Sequence, residues 1–448
     1  MKNLKYILSL LSVLVLIQCK QAPENNEKLI LIKGGTIINA KWNGSEADDI
    51  KNGFILIKND KIIRVGKLED TTSLPEKVQI IDAEGKYIVP GLIDGFAVIN
   101  NQAYSNAFLL SGVTSIIGVE STRRGDLFEN AEPTPEIFKL GEVGDTIQTK
   151  EEIAKDFENS LEQNMKVMLL MYKLTPELLQ YSLNLANEYH MATIGELGFT
   201  SYKKGVDLGV HAFVHTTRYS LDIASKEMAN AVAKEPFSNE LNSPKWKYYQ
   251  FLYSLNVEDS SVIKHAINLG NGNSYLMPTM SLLYLDFPEH KNPWNETVAK
   301  IINPDDINNP ANRETGNHDY TDEVQKNYTK MALKEIELEQ KYYQYGAKYI
   351  AGSGCDVWGT MPGISLHTEL ALLKTIGLTN RQLIASTTTN FSNAFAWEKG
   401  KIEKGFDADI LILNENPIEN IDNLKSIHSL FLKGKLIDLK SLMDGKNE

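Results

Sequence analysis

The chain has 448 residues, of which 42% are hydrophobic and 23% charged, enough apolar material for a large buried core and too much for a disordered chain. It carries 58 acidic residues against 46 basic ones, a formal net charge of -12, so its average field repels phosphate backbones and argues against nucleic acid as a partner. The same balance is an ordinary solubility choice for an exported protein.

Met1 to Lys5 is basic, Tyr6 to Ile17 is apolar, and Gln18-Cys19-Lys20 follows, the layout of an export signal. The apolar run falls short of the ~20 residues that a permanent membrane helix needs. Leu16-Ile17-Gln18-Cys19 resembles a bacterial lipoprotein box. That resemblance implies a signal peptide over residues 1–19, lipidation of Cys19, and a membrane-anchored lipoprotein in the periplasm or at the cell surface; a plain secretory signal is the alternative. Residues 20–28 read as a polar tether. With Cys19 acylated, only Cys355 remains, and stability must come from the core rather than from a disulfide.

From Leu29 to Asp82 the pattern is one of short strands with turn residues between them: Leu29-Ile32, Gly34-Ile38, Gly53-Ile57, Lys61-Val65 and Val78-Ile81. Strands of the same kind return near the C-terminus at Ala408-Leu413 and Ser429-Lys435. Between them strand and helix patterns alternate, which predicts an α/β domain with a parallel sheet. Its strand candidates include Thr114-Ile117, Lys166-Met171, Ala192-Ile194, Ala212-Val214 and Lys348-Ala351, and its helices include Pro176 to His190 and Glu323 to Tyr345. The Asn- and Pro-rich stretch from Asp286 to Asp319 reads as a long loop of the kind that often covers a site.

Three motifs then carry a resemblance to the metal-dependent amidohydrolase superfamily, in its imidazolonepropionase and prolidase-like branch. They are Tyr87-Ile-Val-Pro-Gly-Leu-Ile-Asp94; Ala351-Gly352-Ser353 followed by Met361-Pro362-Gly363-Ile364-Ser365-Leu366-His367; and Gly400-Lys-Ile-Glu-Lys-Gly-Phe-Asp-Ala-Asp-Ile410. The resemblance implies an α/β fold, a (β/α)8 TIM barrel over residues 89–397, with a β-sandwich built from residues 29–88 and 398–438. It also implies hydrolysis of carbon–nitrogen bonds other than peptide bonds by a metal-activated water, at the C-terminal ends of the barrel strands.

Set against the family pattern, the ligand positions are replaced. Phe96 and Val98 stand where two first-strand histidines are expected, Leu169 stands for the bridging lysine, and Gly354 stands for the eighth-strand aspartate. His215 keeps the sixth-strand histidine, and Glu196 takes the fifth-strand position. Asp356, two residues past Gly354, is a candidate replacement acid. The expectation is therefore a pseudoenzyme: an exported lipoprotein with no cofactor, which binds a small-molecule ligand or a protein partner at the barrel mouth, reaches the membrane through its lipid anchor and is compatible with an oligomer. The alternative is an active hydrolase with a rebuilt mononuclear site for zinc or another divalent metal, drawn from Glu196, His215, His211 and Asp356. A third reading makes Cys355 an accessible nucleophile. Trp358, Trp294, Tyr284 and Phe287 are candidate pocket-lining aromatics, and His367 reads as structural.

Overall fold

The computed structural model describes residues 28–70, 77–120, 127–238, 240 and 242–445. The proposed signal peptide and Cys19 lie outside the described residues. No helix among those described is long and apolar enough to cross a membrane.

Eight parallel strands follow one another in chain order around a single sheet: Leu92–Ala97, Val113–Gly118, Glu136–Val143, Val167–Leu170, Ala192–Gly195, Ala212–Val214, Tyr275–Met277 and Lys348–Tyr349. Several are buried along their whole length. Val113–Gly118, for example, is buried at every residue, as a strand covered on both faces must be. The sheet closes on itself where the Gly95 amide donates to the Ala351 carbonyl at 2.9 Å. Glycine is required at that seam, because a Cβ there would stand 2.5 Å from Met277 Sδ and 2.9 Å from the Ala351 oxygen. The expected (β/α)8 barrel is the fold of residues 92 to 349 and their flanking helices. The third and seventh strands, not singled out in the sequence, complete it: Glu136–Val143 is only partly buried, and Tyr275–Met277 is too short for periodicity to register.

The outer helices obey their local signals. Thr175 caps Pro176–Glu188, its hydroxyl accepting from the Leu178 amide, with proline in the first turn. Asp322–Gln344 turns Met331, Leu338 and Tyr342 inward, together with two carboxylic acids, Glu335 and Glu339.

The chain ends form two further sheets. One orders Lys61–Lys67, Gly53–Lys58, Leu29–Lys33 and Gln79–Asp82; the other orders Lys435–Ile437, Ile427–Leu432, Ile410–Leu413, Tyr87–Pro90 and Thr36–Ile37. Ile30, Ile55, Ile57, Ile88, Ile410, Ile412 and Phe431 share one core there, which makes the expected sandwich from both ends. Ser429-Lys435 is not one strand, as expected, but a hairpin: Lys433 and Gly434 have φ of +47° and +70°, the pair of left-handed residues that a two-residue type I′ turn requires. Buried ion pairs fasten the sandwich to the barrel. Arg381 meets Asp49 through two nitrogens at 2.9 and 2.8 Å, and Lys399 meets Glu136, Asp407 and Asp409 at 2.6, 2.8 and 2.5 Å.

The long loop after Asp286 folds into three 3-10 turns, Pro293–Asn295, Thr297–Ile301 and Pro304–Asp306. It packs on the helix Gln102–Leu110, where Tyr104 donates to the Asp306 carbonyl at 2.7 Å. None of its residues lines the barrel-mouth cavity, so this loop does not supply the expected cover. Its asparagines and prolines serve turns instead.

Candidate functional site

A cavity of about 150 Å³ opens at the C-terminal ends of the strands, and every strand from the first to the seventh contributes to its wall: Phe96, Val119, Glu142, Leu169, Glu196, His215 and Thr279. The helix Pro244–Ser254 adds Lys245 and Tyr249. Asp322–Gln344 adds Tyr328, Met331 and Glu335, and Leu282 and Trp358 complete the rim.

Two of the four replaced positions face this space. Phe96 presents its face or edge to the His215 ring, with centroids 5.1 Å apart and planes at 78°, and packs in one apolar cluster with Leu169 and Met171. Val98 is fully buried but does not line the cavity. Strict alternation had placed it inward; the first strand instead ends at Ala97, and its pairing with the second strand shifts register between Asp94 and Ala97, which breaks the period of two. Gly354 is also off the wall. Its φ is +67°, and a Cβ there would fall 2.6 Å from Leu282 Cδ2, so a leucine occupies the ground beside it. Asp94, last residue of the first motif, is structural: its Oδ1 accepts from the Ser353 amide at 2.8 Å and the Phe96 amide at 3.2 Å.

The four donors of the rebuilt-site reading separate. Glu196 and His215 line the cavity. His211 sits at the opposite end of the sixth strand, in a different surface depression, with Nδ1 2.7 Å from Thr193 Oγ1, and burial lowers its pKa. Asp356 is buried away from the cavity, accepting from Tyr104 at 2.6 Å and Asn100 at 3.3 Å. Cys355 is a fully buried thiol, not the accessible nucleophile of the third reading. His367 donates from Nε2 to the Ser111 carbonyl at 2.8 Å, and burial pushes its pKa down to about 4; it is structural. Of the aromatic candidates Trp358 lines the cavity. Trp294 instead donates to the Ala311 carbonyl at 2.8 Å, and Tyr284 accepts from the Lys291 amide at 2.9 Å.

Sequence reasoning missed the residue that dominates the electrostatics. Arg218 is only 6% exposed, and its Nε donates to Glu196 Oε1 at 3.2 Å while Nη2 donates to the Pro236 carbonyl at 3.0 Å. The Tyr172 and Phe237 rings lie 5.3 and 5.8 Å from its guanidinium carbon. The signal was available, for a lone cation three residues beyond His215 in an otherwise uncharged strand end has to find a partner when buried. His215 is held too: its Nδ1 is 2.7 Å from Thr279 Oγ1, and both residues have positive φ, +63° and +54°. Paired strained residues of this kind concentrate at functional sites.

The donor set does not fit the family's metal centre. Phe96 and Leu169 offer no lone pair, Glu196 is engaged by a guanidinium, and a fixed positive charge beside it repels a second cation. Among the described residues no three His, Cys, Asp or Glu side chains come together closely enough to hold an ion.

A closed barrel of parallel strands, a cavity at their C-terminal ends and a sandwich from both termini define the class: a (β/α)8 barrel protein of amidohydrolase architecture. Residues 340–437 match the profile of the amidohydrolase family. A stretch of 66 residues, 15% of this chain, is 44% identical to a dihydroorotase of Caldicellulosiruptor saccharolyticus, and it spans only 14% of that protein's length. Over the whole fold the chain is similar to a bottromycin amidohydrolase, with a TM-score of 0.65 and 12% identity, covering 93% of this chain and 89% of that one. A Xaa-Pro dipeptidase solved with bound methionine gives a TM-score of 0.59 and 15% identity, covering 92% and 100%. The family match covers residues 340–437, and over the rest of the chain the likeness is one of fold.

Proposed function

We propose that this protein is an exported lipoprotein, anchored through Cys19, whose amidohydrolase barrel binds a small-molecule ligand at its mouth and has given up two-metal hydrolysis. The observation that carries the reading is the wall of the cavity. Apolar Phe96 and Leu169 stand at strand ends where this superfamily places ligands, and Glu196 is neutralised by Arg218 rather than left for a cation. Four framework features persist beside this loss: the seam at Gly95, the Asp94 tie to Ser353, the His367 contact and the buried Lys399 cluster. A preserved scaffold with a rebuilt mouth is a binding protein's signature, since function resides in the site and not in the fold. Elemental analysis of the purified protein tests the proposal. It predicts divalent metal far below one ion per chain, and close to one tightly held zinc or iron per chain overturns it.

A second reading, a mononuclear hydrolase, draws support from Glu196 and His215 sharing the cavity. It predicts metal-dependent hydrolysis of dipeptides or cyclic amides that His215→Ala abolishes, and activity unchanged by that substitution removes it.

A further inference from the structure

Resting on the ligand-binding reading, the geometry points to Arg218 as the anchor for the carboxylate of a small acid with an aromatic or apolar body. Two observations lead there. Two of the guanidinium nitrogens are fixed, Nε by Glu196 and Nη2 by the Pro236 carbonyl, so the plane of the group is set before any ligand arrives. The third, Nη1, is buried without a hydrogen-bond partner among the described residues. An unpaired buried charged donor is costly to keep, and each such group in a folded protein calls for a partner or role that explains it.

The surroundings select the rest of the ligand. Lys245, 5% exposed, brings a second cation to the same wall, and the charge of Glu196 is already matched by Arg218. Glu335, also on the wall, has its pKa pushed well above the usual carboxylate range by burial and by Glu339 and Glu369. Glu120, Glu142 and His215 share the wall, and Phe96, Leu169, Tyr249, Tyr328 and Trp358 give it an apolar, largely aromatic part, suited to a flat ring. Phe237 lies against the guanidinium and is itself 47% exposed. A charge-assisted hydrogen bond from Nη1 to a carboxylate oxygen then satisfies the last donor.

Benzoate and benzamide are the probes, matched in shape and different in charge. With nine non-hydrogen atoms, benzoate is expected to bind with Kd on the order of millimolar. Titration calorimetry on the full mature protein should find benzoate at least about tenfold tighter than benzamide. In a Glu196→Gln/Arg218→Met double variant, which removes both charges of the buried pair and so spares the fold, that preference should disappear. Lys245→Met, on the same wall, should reduce it without removing it. Equal binding of the two probes, absence of benzoate binding, or a preference that survives in the double variant overturns the anchor. Metal content measured on the same preparation separates this from the parent reading: one ion per chain contradicts the binding-protein account whatever benzoate does, whereas a metal-poor protein that does not discriminate the probes contradicts the anchor alone.

Discussion

Glu369 makes the stability of this protein depend on pH in an unusual direction. The residue lies on the helix Ile364–Thr375, fully buried, with its Oε2 accepting from the Ser281 amide at 2.7 Å. Burial raises its pKa from the ordinary 4.5 to about 8; hydrogen bonds from Ser281 and Met280 pull the other way, and Glu339 pushes further up. Because the folded-state value is raised, the acid's contribution is fully present below about pH 4.5. It declines from there upward and is lost as pH passes about 8. The gap between those two values, at 1.36 kcal/mol per pH unit, amounts to about 5 kcal/mol. Glu369→Gln keeps an acceptor for Ser281 and cannot ionise. Its extra amide hydrogen costs about 1–3 kcal/mol at acid pH, and at pH 9 the variant should be the more stable protein. Urea denaturation midpoints of both proteins at pH 5, 7 and 9 read the effect as curves that cross. Parallel curves would refute the reasoning, since they would mean that the Glu369 carboxyl ionises in the folded state at no special cost. Glu339, with a pKa raised to about 7 by burial against donation from Thr216, Tyr219 and Tyr349, leaves a smaller residual decline in the variant.

Lys399→Met should lower stability by about 3–5 kcal/mol, because Asp409 is left charged and buried with no cation, and a melting temperature within a degree or so of wild type would contradict that. Gly95→Ala should prevent barrel closure and yield insoluble protein, given the Met277 and Ala351 atoms in its way; a soluble variant of normal melting temperature argues against the seam. Phe96→Ala should cost about 3–5 kcal/mol through the cavity it opens, measured by denaturation, and a change under ~1 kcal/mol would show that the ring is not packed as described. Mass spectrometry should find the Cys355 peptide unlabelled by maleimide in the native state and labelled in urea, whereas rapid native labelling would restore it as an accessible thiol.

The barrel and sandwich were legible because they rest on repeated, redundant signals: Pro90-Gly91 before the first strand, the Gly352-Ser353 segment after the eighth, and Gly405 with Asp409 at the return to the sandwich. The site was half legible. Phe96, Leu169, Glu196 and His215 reach the cavity because they sit at regular strand ends, where counting by two works. Val98 and Gly354 do not, because a register shift and a left-handed turn intervene, and neither leaves a mark that periodicity can detect. Arg218, Lys245 and Tyr249 come from helices and turns beyond the strands, and their convergence is a product of tertiary packing alone. The loop after Asp286 misled through its composition, which encodes turns without saying what they cover.

Crystals grown with excess zinc, with diffraction recorded on both sides of the zinc absorption edge, examine the nature of the barrel mouth most directly. The account predicts no anomalous peak between Glu196, His215 and Phe96, with the Arg218–Glu196 pair intact. A peak there within bonding distance of Glu196 and His215, with Arg218 turned aside, would contradict it.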